Sequence, residues 1–421
     1  MTSLPQDARA LFDAAVARAD PAKALSQALL ATPLPALEPG GQDYILALGK
    51  AAVPMMQEML RHIPEPRQAL VITNPENLTE VPGARVLAGS HPVPDQASAD
   101  AGAAVIDLVS QTTAQDRITV LVSGGGSSLM VAPAAGISLA DKAAVGAALL
   151  SSGLDINEMN LVRQHLSELK GGGLLRHAAP ASVQAYILSD VIGDDLRAIA
   201  SGPTVSPLGD RAAARALLQR AGIWQDLPET VKTHLAQQPP TSPLPEAQNS
   251  LIGSNRHSLA AMMERARALG WQSQLVSDHL TGDVCAAVEE ILHAAKAAPA
   301  DQPVALIFGG ETTVRLQGDG RGGRNQELAL RMAQRSASEL SGDWLFLSAG
   351  TDGRDGPTDA AGGFATPQTW QAIAEAGQDP AALLANNDSY AALKAAEALL
   401  ICGGTGTNVA DVQVFLRRAA D

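Results

Sequence analysis

The stretch Leu121-Val122-Ser123-Gly124-Gly125-Gly126-Ser127-Ser128 decides how the chain reads. Residues 118–122 form an apolar run of strand length, three glycines follow, and Ser127 is a residue type that caps the start of a helix. A strand that passes through a glycine turn into a helix gathers backbone N–H groups on one point, which is anion-binding geometry. A tight turn that uses glycine only for its torsional freedom is spelled the same way. The rest of the chain must decide between them.

On the N-terminal side, residues 6–31 show helical spacing broken at Pro21, and residues 44–48 make a strand ending in Gly49-Lys50. A helix over 51–60, strands at 69–73 and 85–87, and a helix over 97–109 lead back to the opening stretch. Beyond it, residues 138–169 read as helical and 183–188 as a strand, with a further helix expected from Asp194-Asp195. After residue 249 the alternation repeats: strands at 250–253, 273–276, 303–308, 312–317, 344–348 and 409–415, with helices at 256–269, 283–298, from the Gly323 loop to about 338, and after Asp388. Strands alternating with helices build a parallel sheet covered on both faces, and such sheets bind ligands beyond the carboxyl ends of their strands. The expected fold is therefore α/β with two domains, each a largely parallel sheet flanked by helices, and an interdomain cleft. Residues 237–248 have a Pro, Gln, Ser and Thr composition suited to a linker. They set an N-terminal Rossmann-like domain at 1–240 and a C-terminal domain at 249–421.

Composition narrows the function. A chain of 421 residues exceeds one ordinary core, and 46% hydrophobic with 18% charged residues is a globular profile. The 30 basic and 44 acidic side chains give a net charge of -14, which argues against nucleic acid or an anionic membrane as partner. A locally positive cleft could still take a small anion. Cys285 and Cys402 are isolated and imply neither a disulfide framework nor a zinc site. No signal pattern opens the chain and no apolar run approaches about 18 residues, so a cytoplasmic protein is expected.

Gly318, Gly320 and Gly323 spell GxGxxG, the mark of a dinucleotide turn, but the ribose-binding acid is not in its place: Asp343 opens the next strand instead of ending it. There is no GxxxxGK[ST], no GxSxG, and no calcium-loop spacing among Asp352, Asp355 and Asp359. What remains is a set of polar or charged residues at strand ends beside glycines: Lys50, Ser123–Ser128, Lys170, Asp190, Glu311, Arg324, Asp352 and Asn408. Each alone has a structural reading, such as a helix cap or a turn. A lysine or arginine beside a glycine turn is harder to dismiss, because it stands where an anion would sit. Together they supply what phosphoryl transfer needs: backbone donors for phosphates, cations for the moving group, and carboxylates for magnesium.

At this point the sequence resembles a family. Ser123 to Leu129, Glu168-Leu169-Lys170-Gly171-Gly172, Ser189-Asp190-Val191-Ile192-Gly193-Asp194, Gly309-Gly310-Glu311-Thr312, Gly322-Gly323-Arg324-Asn325-Gln326-Glu327 and Thr351-Asp352-Gly353 through Gly362 are similar to the motif series of the glycerate 2-kinases with a MOFRL-type C-terminal domain. These enzymes were often labelled hydroxypyruvate reductases. The resemblance implies ATP-dependent phosphorylation of D-glycerate at its 2-hydroxyl, with ATP and Mg2+ as cofactors. It matches Lys50 and Arg324 to the family's catalytic lysine and arginine and the triple-glycine turn, Ser123, Gly124, Gly125, Gly126, Ser127 and Ser128, to its phosphate loop. Chemistry adds Asp190 as a third catalytic residue, Asp190 and Glu311 as metal ligands, Lys170 and Asn408 on the nucleotide, and His91, Asn255 and Asp352 on the acceptor. The rival reading is an NAD(P)H-dependent hydroxypyruvate reductase. A homo-oligomer stays open.

Overall fold

The computed structural model describes residues 3–238 and 242–419, so part of the 237–248 linker and the domain limit at 240 lie outside the described residues. The chain divides into two compact units. The N-terminal unit is Ala24–Ser189 with Asp194–Ile252; the C-terminal unit is Gly253–Asp421 with Met1–Lys23 and Asp190–Gly193.

Strands β1 (Asp43–Leu48), β2 (Gln68–Thr73), β3 (Arg85–Ala88), β4 (Arg117–Val122), β5 (Ser182–Leu188) and β6 (Gln248–Gly253) form the N-terminal sheet in the order β3-β2-β1-β4-β5-β6. β1 runs parallel to β2 and β4, β2 to β3, and β4 to β5. β4 is buried along its whole length, as expected of a strand with helices on both faces. The strand order reverses between β1 and β4, and at such a switch point the loops after the two strands diverge and leave a crevice. Those loops carry Gly49-Lys50 and Ser123–Ser128.

Two expectations change here. The helical run over 138–169 is two helices, Leu139–Ser151 and Ile156–His165, each opened by a capping box, at Ser138 and Asp155. Gly153, at φ 73°, makes the break. The helix expected from Asp194 does not form; Asp195 folds back onto Arg197, and a 3-10 turn at Ile199–Ser201 follows.

The C-terminal unit contains β7 (Gln272–Ser277), β8 (Gly282–Asp283), β9 (Val304–Gly310), β10 (Thr312–Thr313), β11 (Trp344–Gly350), β12 (Gly362–Ala365), β13 (Leu399–Leu400) and β14 (Asp411–Arg417). Its main sheet has the order β13-β12-β11-β14-β9-β7, while β8 and β10 pair separately. β7 and β9 are parallel, but β14 is antiparallel to β9 and β11, β12 to β11, and β13 to β12, so this sheet is mixed. Because β9 and β11 both oppose β14, they run in the same direction, and their carboxyl ends share one edge with the start of β14. The strand expected over 312–317 stops at Thr313; beyond it, Asn387 Oδ1 accepts the N–H groups of Gln317 and Gly318 at 2.7 and 3.1 Å and holds the segment as a loop.

The first helix, Leu4–Arg18, packs within the C-terminal unit, although the sequence boundary placed it with residues 1–240. Its Leu11, Phe12 and Ala15 share a core with Leu259, Leu347 and Val414. Trp271 Nε1 donates to Asp7 at 3.1 Å, and Ser258 Oγ donates to the Ala15 carbonyl at 2.9 Å. The opposite face of the sheet is closed by Trp344 and Phe415, stacked with centroids 5.8 Å apart, and by Phe308 and Phe346.

Candidate active site

In the N-terminal unit the loops after β1 and β4 are built into one another. Lys50 N–H donates to the Gly124 carbonyl at 2.9 Å, and Ala51 N–H to Ser123 Oγ at 3.0 Å. Gly49 has φ 118°, and a Cβ there would lie 2.3 Å from Ser123 Oγ, so only glycine permits the approach. Gly125 sits at φ 84°; a Cβ on it would meet Lys50 Cγ at 3.2 Å and His91 Cδ2 at 3.4 Å, which places both side chains over the turn. His91 is held below the ordinary imidazole pKa by desolvation and then by the Lys50 cation, with Glu76 opposing.

The helix after the turn, Gly126–Leu129, has only four residues, and its N-cap is Gly125, so Ser127 is not a cap. Its hydroxyl serves another purpose. Lys170 Nζ donates to Ser127 Oγ at 2.8 Å and to its carbonyl at 2.7 Å, and Ser127 Oγ lies 2.8 Å from Ser201 Oγ. Ala200, Ser201 and Gly202 hold φ 49°, 60° and 64°, a left-handed run that is costly for the first two. Asn160 accepts from the Ser201 hydroxyl at 3.1 Å, while Gly171 N–H and Gln164 Nε2 donate to its carbonyl at 3.0 and 3.2 Å. The glycine turn is thus braced from the Lys170 side by a strained and fully bonded loop.

Beside it opens a cavity of about 380 Å³. Lys142, Arg163, Lys170, His91, Ser127 and Ser128 form its polar lining, and among the described residues no carboxylate lines it. Val93, Val131, Val145, Leu150 and Leu166 form its apolar wall. Val93 and Leu150 stay 71% and 70% exposed, an apolar rim suited to a flat, weakly polar group. The cations strain one another. Desolvation and then Arg163 pull the Lys142 pKa down to about 8. Lys170 is held well below the ordinary lysine value by burial, then by Lys142 and Arg163. Burial also lowers Arg163. Uncompensated cations gathered around a pocket favour a polyanionic ligand. The sequence reading named Lys170 but missed Lys142 and Arg163, which stand on helices with no glycine turn beside them.

In the C-terminal unit the second cluster lies at the shared edge of β9, β11 and β14. Arg324 opens the helix Arg324–Glu339. Its Nε and Nη2 donate to the two carboxylate oxygens of Asp411 at 2.6 and 3.0 Å, and its Nη1 lies 2.8 Å from Glu311 Oε1. Burial opposes the Arg324 charge, but Asp411 and then Glu311 raise its pKa above that of ordinary arginine. Burial raises the pKa of Glu311; Arg324 counters, and Asp411, Asp190 and Asp352 add to the rise. Asp190, Glu311 and Asp352 therefore share one electrostatic neighbourhood with Arg324. Among the described residues no group of three or more such side chains is arranged to enclose a metal ion. Asp355, which accepts from the Asn325 and Gln326 N–H groups at 3.1 and 2.8 Å, is pushed up to about 6 by burial.

Two further sequence candidates, Asn255 and Asn408, bond to backbone around the start of β14. Asn255 is buried, and its Nδ2 donates to the carbonyls of Val409 and Asp411 at 2.9 and 2.8 Å, so its amide anchors the start of β14. Asn408 is exposed and its Oδ1 accepts from Ala410 N–H at 3.0 Å. The GxGxxG loop is filled by protein: Cβ atoms on Gly318, Gly320 and Gly323 would lie 2.1 Å from Asn386 Oδ1, 2.5 Å from the Asn386 carbonyl and 2.3 Å from Asp355. The N–H groups of Gly318, Asp319 and Gly320, which a dinucleotide turn would offer to a pyrophosphate, are taken by Asn387 Oδ1, Asn386 Oδ1 and the Asn386 carbonyl.

Fold and site define an α/β protein with two six-stranded sheets, and with a glycine turn and a cationic pocket at the switch point of the N-terminal one. Residues 7–236 match the family model described as a domain of unknown function, DUF4147, and residues 304–411 match the MOFRL family. A glycerate 2-kinase from Pyrococcus horikoshii is 37% identical, covering 89% of this chain and 87% of its own. A D-glycerate 2-kinase from Thermotoga maritima is 39% identical, covering 88% and 90%. The crystal structure of a glycerate kinase from Thermotoga maritima matches with a TM-score of 0.89 at 36% identity over 97% of each chain. A relative from Agrobacterium vitis, 38% identical over 98% of this chain and 94% of its own, carries a provisional hydroxypyruvate reductase name. The chain belongs to the glycerate 2-kinase family.

Proposed function

We propose that the protein transfers the γ-phosphoryl group of ATP to the 2-hydroxyl of D-glycerate, giving 2-phosphoglycerate and ADP. The observation that carries this reading is the pocket lined by Lys142, Arg163 and Lys170 with no carboxylate among its described lining, beside the glycine turn. The cations and turn suit the donor's phosphates, and the apolar wall suits its base. The family and the names of its members supply the acceptor.

In this reading the 2-hydroxyl oxygen attacks the γ-phosphorus, the bond to the bridging β-γ oxygen breaks, and the hydroxyl proton passes to a carboxylate, which we assign to Asp190. Lys50, over Gly125, and Arg324 are assigned to the charge of the transferring group. Lys170 fixes Ser127, while Ser123 holds the two loops together. His91 and Asp352 are assigned to the acceptor. The carboxylate oxygens of Asp190, Glu311 and Asp352 are the hard donors magnesium prefers, and a kinase site needs only one or two of them beside the phosphates. Bound there, Mg2+ would neutralise phosphate charge, with Asp190 and Glu311 as its protein ligands. The nicotinamide reading lacks a turn to hold its cofactor, since the Gly318 loop is packed with side chains. The deciding experiment supplies D-glycerate, ATP and magnesium in one arm and hydroxypyruvate with NADH or NADPH in the other. ADP release in the first arm alone is expected; nicotinamide oxidation without ADP release would overturn the kinase reading.

A further inference from the structure

We infer that Asp411 is the positioning residue that sets the orientation of the Arg324 guanidinium; this rests on the kinase reading above. Asp411 is the first residue of β14 and lies in register with Gly310 of β9 on one side and Gly350 of β11 on the other. Its side chain is 1% exposed, so it cannot itself touch a ligand. It occupies Arg324 Nε and Nη2 at 2.6 and 3.0 Å, the two-point geometry that fixes a guanidinium plane. Glu311 takes Nη1 from the other side. Of the five N–H donors on an arginine, one on each terminal nitrogen is then left over for an anion.

The support behind Asp411 is equally specific. Asn255 donates to the Asp411 carbonyl and to that of Val409, which pins the backbone where the strand begins. Gly350, opposite Asp411 on β11, is itself crowded: a Cβ there would lie 2.9 Å from the Arg354 carbonyl and 3.1 Å from Asp352 Oδ1. Glu311 is 47% exposed and contacts a single nitrogen, so without Asp411 the fork would turn about that one contact. A cation would remain, but its direction would be lost. The effect should therefore fall on turnover, where orientation toward the transition state matters, and little on ATP affinity.

The test is steady-state kinase assay of the whole chain with D-glycerate and ATP. Asp411→Asn should lower kcat about tenfold or more and leave the ATP KM within about threefold. In an Arg324→Lys background the same change should cost less than about twofold further, because the two residues act as one unit. If Asp411→Asn does not fold, the Arg324→Ala and Arg324→Ala/Asp411→Asn pair decides, since removing both partners leaves no buried charge. Added guanidinium should restore turnover several-fold in the first of these and not in the second. Full activity of Asp411→Asn, losses that multiply with Arg324→Lys, or equal guanidinium rescue of both variants would overturn the positioning role while leaving the kinase reading intact. An inactive wild type would overturn both.

Discussion

The ammonium of Lys170 donates to both the carbonyl and the hydroxyl of Ser127, at 2.7 and 2.8 Å, in a pocket whose described lining holds two further cations and no carboxylate. Partly or fully buried cations with no carboxylate beside them reduce stability unless a ligand compensates them. Such an arrangement is kept for binding, and substitutions within it should separate binding from stability.

Lys170→Met should therefore raise the ATP KM about tenfold or more, the scale of a charged contact worth about 1.4 kcal/mol or more. Its thermal midpoint should stay within a few degrees of wild type or rise, because mutual repulsion in the cluster is relieved. ATP saturation curves and thermal melts read the two effects separately. A normal KM with a clearly lower midpoint would make Lys170 a pin for the turn and nothing more.

Lys142 gives the pocket a pH dependence. Its cation is present below about 8 and is lost as pH rises through that value, so the ATP KM should climb above pH 8. Lys142→Gln should have a higher KM that is flat over the same range. The linked stability runs the other way. The folded pKa lies below the unfolded value of 10.5, so the cost of burying the cation is fully present below about 8 and is relieved as pH rises toward 10.5. Wild type should gain stability relative to Lys142→Gln across that window in urea titrations. Parallel curves for the two proteins would contradict the assignment.

Asp355 caps the helix that begins at Arg324 and has the opposite linkage. Its pKa is raised from 3.8 to about 6, so the folded state binds its proton more tightly than the unfolded chain. The stability contributed by the protonated form is complete below 3.8 and is lost as pH rises through about 6. Denaturant titrations should show wild type losing stability relative to Asp355→Asn between pH 4 and 6, by about 1.4 kcal/mol for each pH unit crossed. A constant difference across that range would mean Asp355 titrates normally.

Lys50 and Arg324 should act on turnover. Lys50→Met and Arg324→Lys are each expected to lose about 10²-fold in kcat, as removal of one preorganised electrostatic donor typically does. They should part in stability. Asp411, the partner of Arg324, is buried, so Arg324→Ala leaves an unpaired carboxylate and should cost about 1–3 kcal/mol, less than for a fully buried pair because the arginine is 36% exposed. Lys50 is exposed, and Lys50→Met should melt with wild type.

The sequence disclosed what local chemistry disclosed. Apolar runs ending in glycine placed Lys50 and Ser123–Ser128 at strand ends, and the sheet order then carried both to one switch point. Lys142 and Arg163 could not be found that way, because they stand on separate helices and come to line the cavity beside Ser127 only through packing. Asp411 was hidden for a related reason: it opens the last strand after Ala410 at φ 65°, far in sequence from the arginine it orients. The direction of β14 leaves no mark in its pattern, since a strand buried on both faces reads alike in parallel and antiparallel sheets. At Gly318 the spelling fits a dinucleotide turn, but the misplaced acid argues against one, and the glycines accommodate Asn386. The first helix showed its apolar face clearly, but amphipathicity does not say which sheet that face will meet.

Proton-coupled ³¹P spectroscopy of the reaction with D-glycerate and ATP tests the central claim most directly. Carbon 2 of glycerate bears one proton and carbon 3 bears two, so the position of the new phosphate ester is written in its splitting. A doublet growing together with ADP is the result predicted for transfer to the 2-hydroxyl. A triplet would place the phosphate on the 3-hydroxyl, and no new ester signal beside active nicotinamide oxidation would remove phosphoryl transfer altogether; either result would contradict the account.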